Sequence, residues 1–242
     1  MSFYDAIAAN YDYIFPLRQG RVDFVKSLIP KETKAVVDLG CATGGLALSL
    51  AKEEIVVTAI DLNEAMVEDG RRRAIRGGVA VNFLVTDMCK VADLLPKQSV
   101  GGAFCFGNTL VHLPDHETIT QFIGSVHSVL RPASPFVGQI VNYDKIMARR
   151  PDGLPTIDNE HIRFERDYRY GEAGDRIVFA ARLTDKKSGQ TSAEEVLLYP
   201  IVKEQLTASF KTAGFERIDY YSDYNCGDWS IEKTPTFFVA WK

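Results

Sequence analysis

The feature that most constrains this chain is a unit of short apolar run, turn and helix that recurs along its first half. Ala35-Val36-Val37-Asp38-Leu39 has the length and composition of a strand, the turn Gly40 to Gly45 follows it, and Leu46 to Ala51 continues as a helix of small residues. Ile55 to Ile60 is β-branched and strand-like, and a helix rich in Glu and Arg runs from Glu64 to Ile75. A third strand, Val79 to Val85, ends at Asp87. Val100 to Phe106, an amphipathic helix from Asp115 to Leu130 stopped by Arg131-Pro132, and Pro135 to Val141 bring the strands to five. Strands separated by helices require right-handed crossovers and a mostly parallel sheet, the α/β class.

Beyond Tyr143 the period changes. The runs Ile177 to Leu183 and Glu195 to Tyr199, separated by the turn Lys186-Lys187-Ser188-Gly189, predict antiparallel strands of an insertion after strand five. Val202 to Ala213 reads as a helix closed by Gly214, and two final strands follow, Phe215 to Tyr221 and Thr236 to Trp241. Composition narrows the function. With 242 residues, 46% of them hydrophobic and 25% charged, disorder and fibrous architectures are excluded. A net charge of -4 gives no overall attraction to a phosphate backbone or an anionic membrane, so no nucleic acid and no membrane are expected as partners. The opening MSFYDAIAANYDYIFPLRQG has acids, tyrosines and no continuous apolar core, which predicts a cytoplasmic protein. Cys41, Cys89, Cys105 and Cys226 lack paired spacing and read as reduced thiols.

In an open parallel sheet, ligands bind at the carboxyl ends of the strands. The first strand carries Asp38 and the glycine turn, where the backbone can approach a ligand closely. The second ends in Asp61, placed to accept ribose hydroxyls, and the third in Asp87-Met88, an acid beside a soft side chain suited to adenine. Three acids therefore converge on one nucleoside-shaped crevice.

These motifs resemble those of the class I S-adenosylmethionine-dependent methyltransferases. VVDLGCATGGLALSLA is similar to the family's first motif, with Asp38, Gly40 and Gly44 in register and Ala42 in place of the middle glycine. The resemblance implies that Gly40, Cys41, Ala42 and Gly44 line the methionine portion of S-adenosyl-L-methionine. It also implies that Asp61 holds the ribose, Leu62 packs on adenine, and Asp87 with Met88 frames the adenine edge. FCFGNTLVHL, with Phe106, Asn108 and His112, resembles the fourth-strand motif that borders methyl transfer. GFERIDYYSD and PTFFVAWK resemble the antiparallel pair that closes a Rossmann-like, doubly wound, seven-stranded sheet. FYDAIAANYDYIF resembles the N-terminal lid of glycine N-methyltransferase-like enzymes, in which a tyrosine reaches the cofactor; Tyr11 is the first candidate and Tyr4 the second. The implied organisation is a helical lid over 1–30, a cofactor-binding core over 31–144 and 200–242, and a β-rich insertion over 145–199 that covers a small-molecule methyl acceptor, with a homodimer left open.

Transfer from a sulfonium is an in-line displacement that needs alignment and dryness and requires no metal. An amine acceptor, slightly favoured over a hydroxyl by the lid resemblance, has only to arrive unprotonated, whereas a hydroxyl would call for a base such as His112 or His161. The rings of Tyr11, Phe106 and Tyr143 are candidates to face the cation. Competing readings remain at this stage. Gly40-x-Ala42-x-x-Gly45 approximates the fingerprint of an NAD-dependent oxidoreductase, and a non-catalytic protein that binds the adenosyl cofactor would carry the same motifs. A protein or RNA methyltransferase would show an open cleft and a basic rim. Asp38 ahead of the glycines, Asp87 and the C-terminal pair favour the methyl donor. His112 and His116 have helical spacing, but Pro114 lies between them and no third ligand is evident, so a surface pair is expected rather than a metal site. Asn108 reads equally as a turn residue or an acceptor contact. Arg71, Arg72, Arg73 and Arg76 read as the solvated face of a helix, and Cys41 as a packing residue.

Overall fold

The computed structural model describes residues 3–32 and 35–242, with side chains from residue 7 onward in the first helix. Two N-terminal helices, α1 (Phe3–Ile14) and α2 (Gln19–Leu28), lead into four strand and helix units and a fifth strand. These comprise β1 (Ala35–Leu39), α3 (Gly45–Ala51), β2 (Val56–Asp61), α4 (Glu64–Gly77), β3 (Val81–Val85), α5 (Val91–Leu94), β4 (Ala103–Cys105), α6 (His116–Val129) and β5 (Pro135–Ile140). The chain then forms α7 (Tyr143–Arg149), the strands β6 (Gly153–Asp158), β7 (Ile162–Ala173), β8 (Arg176–Asp185) and β9 (Thr191–Leu198), then α8 (Lys203–Ala213), β10 (Arg217–Tyr221) and β11 (Thr236–Trp241).

The main sheet has seven strands in the order β10-β11-β5-β4-β1-β2-β3. β11 runs antiparallel to both its neighbours and the central strands are parallel. This is the expected Rossmann-like sheet with its antiparallel C-terminal pair. Alternation along each strand divides the core into two layers. Val36, Val57 and Val239 pack with Phe24 of α2, Leu50 of α3 and Val67 of α4, whereas Val37, Ile60 and Phe238 pack with Phe122 of α6 and Phe210 of α8. In the second layer Phe136, Phe210 and Phe238 stand 5.1 to 5.9 Å from one another in tilted or edge-on contacts, each such pair contributing about 0.5–1.5 kcal/mol beyond area burial.

The insertion is a separate four-stranded antiparallel sheet, β6-β7-β8-β9. It opens with α7, a helix the sequence pattern does not announce, because its start depends on Asn142. That side chain accepts from Lys145 N at 3.2 Å and donates to the carbonyls of Ser230 and Lys233 at 3.1 and 2.8 Å, tying the helix start to the loop before β11. β4 is also shorter than the predicted Val100 to Phe106. Val100 leaves the strand to bridge Leu130, and Gly107 turns the far end with φ 74°. Among the described residues no helix is long and apolar enough to cross a membrane.

Close packing of α3 and α4 on the sheet depends on Phe83. A Cβ built on Gly44 would lie 2.5 Å from the Phe83 ring and one on Gly70 2.6 Å from it, and Gly44 has φ 75°. Overpacking costs about 1–3 kcal/mol, and the left-handed backbone adds about 1–2 kcal/mol for a side chain. We expect Gly44→Ala to lower unfolding free energy by about 3 kcal/mol in urea titration, with partial recovery when Phe83→Leu is added; an unchanged midpoint would contradict this packing.

Candidate active site

The parallel strands bring their carboxyl ends to one edge, and a crevice opens there. Its walls come from α1 (Tyr11), the following loop (Phe15, Leu17), α2 (Arg21), β1 and its turn (Asp38, Gly40, Cys41, Thr43) and the end of β4 (Phe106, Gly107). Asp38 is the penultimate residue of β1 and lies on the layer of Val36, beneath α2 and α3, only 4% exposed. Burial, reinforced by Asp61 and opposed by Arg21, pushes its carboxyl up to about 7.

Asp61 closes β2. Its two oxygens accept the backbone N–H groups of Ala42 at 2.8 Å and Asn63 at 2.9 Å, which fixes the carboxylate against the glycine turn. A carboxylate has about four acceptor positions, so two remain for hydroxyl donors. Its pKa is nevertheless raised, burial outweighing the amide donors. The turn is held in the left-handed region at Gly40, Ala42 and Gly44, with φ of 72°, 49° and 75°. Ala42 adopts the conformation for which glycine is better suited. Gly40 is required for the expected tight turn and for a second reason, since a Cβ there would fall 2.4 Å from Thr109 Cγ2. Cys41 is buried with its thiol directed to the Ala42 carbonyl, which fits packing.

Tyr11 stands over this group, its hydroxyl raised in pKa by burial and sensing Arg21, Asp61 and Asp38. Tyr4 has its side chain outside the described residues. The structure thus brings Tyr11, Asp38, Cys41, Ala42, Asp61 and Phe106 together. Asp87 stands at the same edge, after β3 and beside β2, where Thr86 N donates to the Asp61 carbonyl; its side chain caps the next turn through Cys89 N at 2.9 Å. Leu62 is 72% exposed at the rim, an apolar surface available to a flat ligand. Met88 differs from expectation, because its side chain is buried in the layer of Leu39 and Ile60.

The fourth-strand loop also departs from the sequence reading. Asn108 adopts φ 70°, donates Nδ2 to the Tyr143 hydroxyl at 3.0 Å and accepts from Val141 N at 2.9 Å, so its amide is spent on joining β4 to β5. Tyr143 itself is 1% exposed in the core and presents no ring face to the crevice. His112 ends the short turn after β4; solvent reaches its ring, while the surrounding protein removes enough water to lower its pKa. His116 bonds Ser209 Oγ on α8 at 2.8 Å, and His161 stacks on Tyr13 at 3.8 Å between ring centres, so each has a structural partner. No group of three or more potential metal ligands occurs among the described residues.

Sequence reasoning missed Arg21 and Thr43. Arg21 lies 5.3 Å from the Phe106 ring centre and donates to the Tyr224 hydroxyl at 3.0 Å. The available signal was its place in the first turn of α2, where the helix dipole disfavours a cation. Thr43 Oγ1 is buried in the crevice wall without a hydrogen-bond partner. That orphaned hydroxyl, the free acceptor positions on Asp61 and the Arg21 cation facing Asp38 suit a ligand with hydroxyl, amino and carboxylate groups, which S-adenosylmethionine has.

The raised Asp38 pKa has a thermodynamic consequence. Between the unfolded value near 4 and the folded value of about 7, the folded state holds a proton that the unfolded chain has released. This group's contribution to stability therefore falls as pH rises across that window, by up to about 1.4 kcal/mol per pH unit. Urea titrations of ligand-free protein at pH 5 and pH 7 should show that fall in wild type and a smaller one in Asp38→Asn; equal slopes would place Asp38 in contact with water.

Comparison with known proteins agrees with this geometry. A methyltransferase-domain family profile matches residues 36–133, from β1 through α6. A ubiquinone biosynthesis O-methyltransferase from Xylella fastidiosa is 27% identical over 143 residues, 55% of this chain and 57% of that protein. Across such curated relatives the alignable part spans 31% to 66% of their length. The CcbJ methyltransferase from Streptomyces caelestis superposes with a TM-score of 0.83 at 21% identity, covering 99% of this chain and 97% of that one. A sugar N-methyltransferase from Streptoalloteichus superposes with a TM-score of 0.72 at 16% identity, covering 100% and 93%. The profile match sets the NAD-dependent alternative aside. A doubly wound sheet, a buried acid ahead of the glycine turn and the profile match from β1 through α6 show that this chain carries a methyltransferase domain on a Rossmann-like fold.

Proposed function

We propose that this protein transfers the methyl group of S-adenosyl-L-methionine to a small-molecule acceptor, an amine nitrogen in preference to a hydroxyl oxygen. The observation that carries this reading is the pairing of the buried Asp38 with the half-buried Asp61 at the ends of β1 and β2, faced by Arg21 and covered by Tyr11. When bound, the cofactor supplies an electrophilic methyl on a positively charged sulfur. Asp61 accepts the ribose hydroxyls with its two remaining acceptor positions, and Leu62 with Asp87 borders the adenine. Arg21 takes the carboxylate end and Asp38 the amino group, which explains why a carboxyl is kept in an apolar layer. Tyr11 and Phe106 direct ring surface toward the sulfonium, each worth about 0.5–2 kcal/mol.

Exclusion of water falls to α1 and the insertion. Residues 1–30 act as a lid and 145–199 as the cover of the acceptor space. The first helix is held by the apolar contacts of Ile7, Ala8 and Ile14 with the insertion and the glycine turn, and three polar or aromatic contacts add to them: an ion pair of Asp12 with Arg73 on α4, a hydrogen bond from Asn159 Nδ2 to the Tyr13 carbonyl at 2.9 Å, and the Tyr13 and His161 stack. Opening for exchange therefore has to part the apolar cluster as well as these contacts. An amine acceptor fits a site in which the Asn108 amide is occupied and no described carboxylate faces His112 to make it a stronger base.

Two measurements test this reading. Calorimetric titration with S-adenosylhomocysteine should show about tenfold weaker binding for Tyr11→Ala and for Asp61→Asn; unchanged affinity would remove the residue from the site. Turnover of labelled donor against a pool of small amines, alcohols and phenols should yield labelled amine products, with His112→Ala reducing kcat less than about tenfold. Binding without product from any acceptor would make the protein a cofactor-binding module, and a loss of a hundredfold or more in His112→Ala would reassign the acceptor to oxygen.

A further inference from the structure

The inward face of the insertion sheet is mostly apolar, and one of its rows carries an arginine. Residues directly opposite in antiparallel strands project from the same face. Along β7 that face carries Ile162, Phe164 and Tyr168, all buried, and the residue between the last two is Arg166. The row through it reads Leu154, Arg166, Ala181 and Glu194. Ala181, directly across, ends at Cβ and offers no polar partner; Glu194 lies two strands away and forms no ion pair with Arg166.

The outward arginines of the same strand behave differently. Arg163 pairs with Asp158 and Glu165, and Arg169 with Glu172 and Glu195. Arg166 has no ion pair among the described residues. One Nη2 N–H donates to the Pro155 carbonyl, the guanidinium carbon stands 5.5 Å from the Phe164 ring centre, and Nε is buried without a partner. Burial lowers its pKa, the cost of holding a cation without a counter-charge.

Its surroundings lead to the crevice from both sides. Phe164 meets Phe15 edge-on at 6.1 Å, and Phe15 meets Tyr11 at 5.4 Å, both in the crevice wall. On the other side Tyr168 neighbours Tyr143, which is bonded to Asn108, the residue after Gly107 of that wall. A guanidinium with free donors at this junction is arranged to meet a planar or tetrahedral oxyanion.

We propose that Arg166 binds an anionic group, a carboxylate or a phosphate, carried by the methyl acceptor. This rests on the reading that the crevice holds the donor and the insertion covers the acceptor. It makes Arg166 a specificity-determining residue: neutral acceptors of the same shape leave the guanidinium unpaired and bind less well.

The test uses ¹⁵N-labelled protein saturated with S-adenosylhomocysteine. The Arg166 Nε–H resonance, identified by its absence from Arg166→Met, is followed while sodium benzoate, inorganic phosphate or sodium chloride is added. Benzoate or phosphate should shift it saturably and chloride should not, with the responding anion assigning carboxylate or phosphate. By calorimetry the same anion should bind at least about tenfold more weakly to Arg166→Met, with Arg166→Lys between the two, and S-adenosylhomocysteine affinity unchanged in both. No saturable shift with either oxyanion, or equal anion affinity in Arg166→Met, overturns the proposal. If wild type fails to bind S-adenosylhomocysteine, the donor reading fails, and the anion titration of the free protein still decides the role of Arg166.

Discussion

A carboxyl group that sheet alternation forces into an apolar layer organises this molecule. β1 alternates so that Val37 and Leu39 enter one layer while Val36 and Asp38 enter the other, and Asp38 is therefore buried under α2 and α3. A buried carboxyl is tolerable when it is protonated or met by a cation. Both solutions are visible: its pKa rises to about 7, and Arg21 faces it from α2. Asp61 on the adjacent strand opposes its ionisation, so the site is short of positive charge. A ligand that brings a cation relieves that shortage, and this links the fold to the choice of a charged methyl donor.

The second sheet packs beside that edge. Its inward residues Ile162, Phe164, Ala181 and Leu183 pack with Ile7, Ala8 and Ile14 of α1 and with Ala42 of the glycine turn, so the first helix, the second sheet and the glycine turn share one apolar cluster. The other end of the same face, through Tyr168, Ile177 and Leu198, belongs to the main core. Tyr199 N donates to the Val111 carbonyl at 2.8 Å, holding β9 against the turn that carries His112.

Much of the fold was legible because its signals are local. β1 and β11 run over the residues predicted for them, Ala35–Leu39 and Thr236–Trp241, since strong apolar runs bounded by turns leave little choice. Asp38, Asp61 and Asp87 were legible because strand ends in a parallel sheet share one edge. What escaped depends on partners remote in sequence. Asn108 is committed by Val141 and Tyr143, 33 and 35 residues away, and Tyr143 is buried in a core cluster that includes Tyr168, Ile177 and Leu198 of the insertion. α7 starts where it does through carbonyls about ninety residues downstream of Asn142. Met88 could serve core or crevice by composition, and only the packing of Leu39 and Ile60 against it decides.

The central claim, that an ionising Asp38 receives the cationic donor, is tested most directly by counting protons. Titration calorimetry of S-adenosylmethionine into the protein at pH 7, repeated in buffers of different ionisation enthalpy, reads the protons exchanged on binding. The account predicts net release of part of a proton in wild type, because Asp38 is only partly ionised at that pH before the ligand arrives, and no such release in Asp38→Asn. Binding with the same proton exchange in both proteins would contradict it.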